Sequence, residues 1–472
     1  MSTRLLAAAV LVSSVLGVAA QARAETLPDG VEWPPPPSRY AAVGTEIGDG
    51  LRVGDQLDAS NADRAAALLP PEIARHFARG EYANPIASWP TGIIHWDTSF
   101  EAATRTNRDH YMLDPGTGTI LEQATRASAA DIYGLPFPTI AANDPNGGLK
   151  ALWNQSHTFW NTGSYHLQTL LVWASRTGID RQSIQDVYWQ YYDNQAPQYR
   201  LANPEGFSQQ GLAVTIAPND LHGTAALTFR YRDGHRRDVA WAYIPALRRV
   251  RAVSPANRSD GFLGSDLSQD DGPFFDGKPE DFVWHTVGLR DGLRFIEPDS
   301  VRGHGGALTW QGQQRGGGWR TQLLRNPPSA GFQMSSWRGV AWAPVSAALA
   351  KRRFWVVEAV PRDPYYLYGR IELWIDAESW IGAFNRKFAW SGELLNTYQV
   401  EGYLNHPGRR ADSDQVEWLW SAEHAWQCAE SLKLERATVA GIRPSPEAPF
   451  ERRARHDIAQ TFSLQSLTRW GR

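Results

Sequence analysis

From about residue 92 onward, apolar and polar side chains alternate with a period of two, the spacing of strands that bury one face. Tyr165, Leu167, Thr169, Leu171 and Trp173 share one face, and Val187, Trp189 and Tyr191 share another. Leu227, Phe229 and Tyr231 alternate with Arg230 and Arg232. The turn Asp233-Gly234-His235 then leads into Val239, Trp241 and Tyr243, which is a hairpin signature. Further strands are expected over 354–360, 368–376, 384–390 and 416–420. Short strands separated by polar turns predict a mainly β fold, an antiparallel barrel or a strongly curved sheet. The chain carries 21 Trp, 16 Tyr and 17 Phe, enough to fill its core and line an interior. Helical patterns are few. Two short helices fit 61–77, the second opened by Pro70-Pro71-Glu72, and one more fits 345–351.

The two ends of the chain read differently. Residues 1–24 have the three parts of a cleaved export signal: Arg4, an apolar run from Leu5 to Ala20, and the small-x-small site Ala22-Arg23-Ala24. That places the mature protein in the periplasm. Residues 25–60 form an extended Pro-rich segment, and 61–472 are expected to be a single domain, without an internal repeat. Losing Arg4 and Arg23 moves the net charge from -3 to -5, so no basic excess recruits nucleic acid. Cys428 is the only cysteine, so the fold stands without an intrachain disulfide.

Most chemical motifs fail on inspection. Gly272 to Lys278 approaches a phosphate loop, but Pro279 stands where Ser or Thr would hold magnesium. Asp266, Asp270, Asp271, Asp276, Glu280 and Asp281 surround Gly272. They read either as a calcium loop, although not with the spacing of an EF-hand, or as a solvated loop with local turn bonds. No nucleophile elbow, His-Glu-x-x-His or paired Cys/His zinc spacing occurs. His95, His235, His285 and His304 sit near turns or strand ends without partners in sequence. No metal, cofactor or catalytic residue is expected.

Several stretches resemble one family. They are Tyr133-Gly-Leu-Pro136-Phe137-Pro138, Gly147-Gly148-Leu-Lys150-Ala-Leu-Trp153-Asn154, and the run from Asp238 through Trp241, Tyr243 and Pro245 to Arg248, Arg249 and Arg251. Asp270-Asp271, Val357-Glu358-Ala-Val360 and Arg370-Ile-Glu372-Leu-Trp-Ile-Asp376 follow in order. Together they resemble the exported proteobacterial family of unknown function numbered 1329, which is similar in fold to the lipoprotein carriers LolA and LolB. The resemblance implies a strongly curved antiparallel sheet, an incomplete barrel, with a few short helices as a lid over a cavity for acyl chains. It also implies cooperation with inner-membrane exporters of the resistance-nodulation-division class. It brings no catalytic residues with it. The chain departs from the family's pattern after Asp376, where Phe384-Asn385-Arg386-Lys387-Phe388 replaces a Tyr-Asp-x-x-Gly hairpin.

These features lead to an expected function, a non-enzymatic carrier for a lipid, a lipoprotein or another hydrophobic molecule. Burying an acyl chain at ~0.8 kcal/mol per CH₂ suffices for binding without a polar anchor. The expected apolar lining is Phe229, Tyr231, Trp241, Tyr243, Trp284, Ile371, Leu373 and Trp418, with strand register deciding which set faces inward. Arg248, Arg249 and Arg251 read either as a rim for an anionic headgroup or as partners of the acidic loop at 266–281. Two other functions compete: an enzyme acting on envelope glycan or lipid through Glu358 and Glu372 or the Asp270-Asp271 pair, and a ligand-free partner of an exporter or outer-membrane protein.

Overall fold

The alternation seen in the sequence becomes a large sheet, and thirteen of its strands form one continuous antiparallel run. The computed structural model describes residues 25–26, 30, 32–33, 35–253, 258–261, 264–298, 308–313, 319–323, 330–404, 408–409, 416–417, 422–443, 445, 447–454 and 456–470. The export signal and Trp418 lie outside the described residues.

The first six strands are β1 (Ser164–Ser175), β2 (Gly178–Tyr191), β3 (Phe207–Ala217), β4 (Ala225–Tyr231), β5 (Val239–Ile244) and β6 (Arg249–Val253). The remaining seven are β7 (Phe282–Ile296), β8 (Ala348–Pro361), β9 (Arg370–Asp376), β10 (Gly382–Phe388), β11 (Leu394–Leu404), β12 (Ala422–Ser431) and β13 (Arg436–Ile442). Pairing is antiparallel throughout, in the order β6-β5-β4-β3-β2-β1-β13-β12-β11-β10-β9-β8-β7. Two meanders thus meet where β1 pairs with β13. The Asp233-Gly234 turn joins β4 to β5 as the sequence predicts.

The sheet is strongly curved. β7 and β11 are four strands apart, about 19 Å on a flat sheet, yet Ile296 at the tip of β7 bridges Gly402 of β11. Curvature gives the sheet an inner and an outer face, and each carries its own helices. The outer face over β7–β13 buries Phe354, Val356, Trp374, Phe384, Trp426 and Cys428 against α1 (Pro71–Ala78) and Trp342. The outer face over β3–β6 buries Leu212, Val214, Leu227 and Tyr243 against α4 (Ile458–Thr461) and α5 (Leu464–Trp470), through Phe462 and Leu467.

On the inner face, α3 (Gly147–Trp160) lies over β7, β8 and β9. Gly147 and Gly148 let it lie flush. A Cβ on Gly147 would stand 2.4 Å from the Trp355 ring, and one on Gly148 2.5 Å from Val357 Cβ. Asn154 then ties α3 to the Tyr133–Pro138 motif, donating to Phe137 O at 2.8 Å and accepting from Phe137 N at 3.1 Å.

Two expectations change. Residues 345–351 are not helical, and from Ala348 they belong to β8. Ala348, Leu349 and Ala350 are fully buried between β7 and the parallel strand Asn84–Ala87, so tertiary pairing overrides alanine's helix propensity. The alternation expected from residue 92 begins in earnest only at Ser164, because α2 (Thr98–Thr106) and α3 precede it. In α3, Asn154, Gln155, His157 and Thr158 are buried with the apolar residues, so no polar stripe marks it as a helix. The departure after Asp376 still forms its hairpin, β9 to β10.

His166 fastens the middle of the sheet on its outer side. Its Nε2 lies 3.0 Å from Asp186 of β2 and its Nδ1 3.7 Å from Glu451. Burial alone would lower its pKa, but Asp186 and then Glu451 outweigh it and hold the imidazole at about 9. A folded pKa above the unfolded one gives stability that is complete below ~6.5 and is lost as pH rises through about 9. The melting temperature of the wild type should therefore exceed that of His166→Gln at pH 6 by more than at pH 9.5. A gap independent of pH contradicts this assignment.

Candidate functional site

The chain leaves the sheet at one edge, β6, and re-enters at the other, β7. Among the described residues of that connection, 258–261 and 264–281 run across the inner face as a strap. Asp266 meets Arg436 of β13 at 3.1 Å and donates its backbone N–H to the Thr438 hydroxyl oxygen at 3.0 Å. Asp271 meets Lys387 of β10 at 2.6 Å, and Asn385 of β10 donates to Phe274 O at 2.9 Å. Asp276 meets Arg230 of β4 at 3.0 Å and Gln209 of β3 at 3.2 Å. β3 and β10 are six strands apart, about 29 Å on a flat sheet with side chains standing upright. Both reach the stretch 271–276, so the sheet wraps around the strap, and the face it touches is the concave one.

The strap is held by charge. Arg258 pairs with Asp238 at 3.0 Å, with Asp276 at 3.2 Å and with Asp270; Lys278 reaches Asp238 at 3.2 Å. Burial would raise the Asp238 pKa, but Arg230, Arg258 and Lys278 together bring it below the usual value. At Asp271 the balance is opposite: burial pushes the carboxyl up despite Lys387. Tyr366 donates to Asp270 at 2.7 Å. Asp266, Asp270, Asp271 and Asp276 of the acidic loop thus face arginine and lysine, while Asp281 stays exposed. Among the described residues no cluster of three or more His, Cys, Asp or Glu has a metal-binding arrangement. Lys278, the would-be phosphate-loop lysine, is spent on Asp238 and on Arg236 O, and the chain continues through a single 3-10 turn, Pro279–Asp281, into a strand.

The strap divides the inner face into two halves. Over β7–β11 the protein fills the space itself. Trp355, Val357, Ile371, Leu373 and Ile375 are buried under α3, Phe274 and Phe275. Over β2–β6 the inner face is different. Ladder partners place Val187, Ala213, Ala226, Ala242 and Arg251 in one cross-strand row, and Trp189, Gly211, Thr228, Ala240 and Val253 in the next. Ala213, Ala226, Thr228, Ala240 and Ala242 are only half-buried, while their outer-face neighbours Leu212, Val214, Ala225, Leu227 and Tyr243 are buried. Trp189 lies flat over Gly211, where a Cβ would come within 2.4 Å of the indole. Small side chains between the Trp189 wall and β6, which pairs only with β5 among the described residues, leave an apolar furrow that water reaches.

The expected lining residues fall elsewhere. Phe229, Trp241 and Tyr243 point to the outer face and pack with the C-terminal helices, and Tyr231 shares their side, beside Phe207. The one-residue parity of the strands decides this. Large side chains go where helices cover them, and the alanines between them take the inner face. The signal was present in Ala225-Ala-Leu-Thr-Phe and Val239-Ala-Trp-Ala-Tyr, but side-chain size pointed the other way. Trp284, Ile371 and Leu373 do face inward, in the filled half; Trp284 donates to Pro279 O at 2.8 Å. Arg248, Arg249 and Arg251 do not partner the acidic loop, whose cations come from Arg230, Arg258, Lys278, Lys387 and Arg436. They stay exposed, with Arg249 and Arg251 on the inner side of the edge strand.

The carboxylates of the enzyme alternative are engaged as well. Glu358 and Glu372 are ladder partners on the outer face. Arg370 meets Glu358 at 2.5 Å, and Arg386 bridges Glu372 at 2.7 Å to Glu72 at 2.7 Å. Burial would raise the Glu372 pKa, but Arg386, the Trp374 N–H and Arg370 hold it low, so this group is an ionised partner and not a proton donor.

The family profile described as "Protein of unknown function (DUF1329)" matches residues 56–298, just over half of the 472 residues. The chain belongs to the DUF1329 family. No curated protein matches it. Among solved structures it is similar to a domain from Vibrio parahaemolyticus described as outer membrane lipoprotein-sorting, with 14% identity, a TM-score of 0.42, and 68% of this chain and 99% of that one covered. A DUF1329 family protein from Desulfovibrio piger matches with 14% identity and a TM-score of 0.39 over 68% and 97% of the two chains. A LolA superfamily protein from Nitrosomonas europaea matches with 12% identity and a TM-score of 0.37 over 66% and 98%. The DUF1329 motifs of this chain map onto structural joints: Gly134 packs against Thr104 of α2, Asn154, Gly147 and Gly148 seat α3, and Asp238, Asp270 and Asp271 fasten the strap.

The Asp271–Lys387 joint makes a direct test of the strap. Lys387→Met leaves a buried carboxylate unpaired and should cost about 3–5 kcal/mol in urea unfolding. Adding Asp271→Asn should recover much of that loss. Equal losses that simply add would show that the two groups do not interact.

Proposed function

We propose that this protein is a non-enzymatic carrier for a lipid, lipoprotein or other hydrophobic molecule, working in the periplasm after export. The observation that carries the reading is the furrow: a half-exposed row of alanines on the concave face of a sheet whose other face is buried. Exposed apolar floor in a concavity gains on contact with an apolar ligand at ~25 cal/mol per Å² covered. The filled half of the inner face takes no cargo, so the reading rests on β2–β6 alone. The signal-like residues 1–24 support export. Among the described residues no helix is long and apolar enough to cross a membrane. Cooperation with an inner-membrane exporter belongs to the same proposal and rests on the family resemblance. The engaged state of Glu358, Glu372, Asp270 and Asp271 speaks against the enzyme reading built on them.

An apolar fluorescent dye should bind the wild type and be displaced by dodecanol. Ala226→Trp combined with Ala242→Trp places two indoles on the half-buried floor of the furrow. The double variant should keep the wild-type melting temperature and bind the dye at least about tenfold more weakly. Failure of the wild type to bind, or undiminished binding by a folded double variant, overturns the carrier reading.

A further inference from the structure

The furrow has one polar end. Its alanine row, Ala213–Ala226–Ala242, terminates on the edge strand at Arg251, and Arg249 follows two residues away on the same face. Alternate residues of a strand stand ~6.8 Å apart, a spacing that lets two guanidinium groups close on one small anion. The hairpin entering this strand is sharply bent. Arg248 holds a left-handed conformation, φ 48° and ψ 36°, directly after the turn Pro245–Leu247. Arg249 and Arg251 are exposed, and among the described residues no carboxylate pairs with either of them. The strap carboxylates nearest the furrow are matched by Arg230, Arg258 and Lys278. Two uncommitted arginines at the mouth of an apolar trough are an unusual use of charge in a chain whose overall balance is acidic.

We propose that Arg249 and Arg251 bind the anionic head of the cargo, so that the ligand is an amphiphile with a phosphate or carboxylate group whose tail lies along Ala242, Ala226 and Ala213. This rests on the carrier reading and narrows it to a ligand class. The guanidinium group suits the task because its planar fork donates two parallel hydrogen bonds to one oxyanion. The tail supplies most of the affinity, and the head fixes which way the molecule enters. A neutral amphiphile fits the same furrow but gains nothing at its rim.

The test compares dodecanol, dodecyl phosphate and inorganic phosphate by displacement of the bound dye from the full-length mature protein. The wild type should bind dodecyl phosphate at least about tenfold more tightly than dodecanol, the gain expected of charge-assisted hydrogen bonds. Arg249→Gln combined with Arg251→Gln changes exposed side chains only. That variant should bind dodecanol as the wild type does, with the preference for dodecyl phosphate reduced to about twofold or less. Inorganic phosphate at the same concentration should displace nothing. Equal affinity of the wild type for the alcohol and the phosphate ester overturns the proposal, as does a preference that survives the double substitution. Binding of inorganic phosphate as tight as that of the ester overturns it too, because the site would then serve a free anion. If dodecanol itself fails to bind, the carrier reading has failed, a result separable from any of these.

Discussion

The curvature of this sheet depends on a charged strap inside it. Charges of both signs are taken out of water in the middle of the concave face, and they remain there because each carboxylate meets a guanidinium or an ammonium. Arg258 is the junction: it reaches Asp238 before β5, Asp270 beside Tyr366, and Asp276, which in turn reaches Arg230 on β4. Asp271 and Lys387 extend the same fastening to β10. The value of these charges lies in fixing which strand stands opposite which.

With the strap in place the remaining surfaces sort themselves. Helices cover the outer face on both meanders and α3 covers the inner face on one, so large apolar residues collect at those three places. The fourth quarter, the inner face of β3–β6, has no helix packed on it among the described residues. It carries alanine, threonine and glycine, with Trp189 as its wall. A surface without a covering helix cannot expose large apolar side chains without inviting aggregation, and small ones leave room. The furrow is thus a consequence of how the rest of the core was covered.

Much of the fold was legible because antiparallel pairing writes its period into the chain. The hairpin at Asp233-Gly234, the strands at 165–173 and 354–360, and the helix opened by Pro70-Pro71 all followed from local chemistry. The helix α3 was not legible, since its buried asparagine, glutamine and histidine erase the stripe that marks an amphipathic helix. Residues 348–350 were misleading because alanine favours a helix until neighbouring strands claim it. The site was harder still. Periodicity tells which residues share a face but not which face is inner, and Phe229, Trp241 and Tyr243 went outward because α4 and α5 wait there to cover them. The strap's partners, Arg230, Lys387 and Arg436, lie far from it in sequence, and only the fold brings them together.

A carrier built this way holds its apolar cargo at one place, the inner face of β3–β5. A diazirine-bearing fatty acid, activated by light while bound and mapped by mass spectrometry, reads that position directly. Labels on the inner-face positions of β3, β4 and β5, such as Ala213, Ala226 and Ala242, are the predicted result. Labels confined to the outer face around Phe229 and Tyr243, or scattered without preference over the surface, would contradict it.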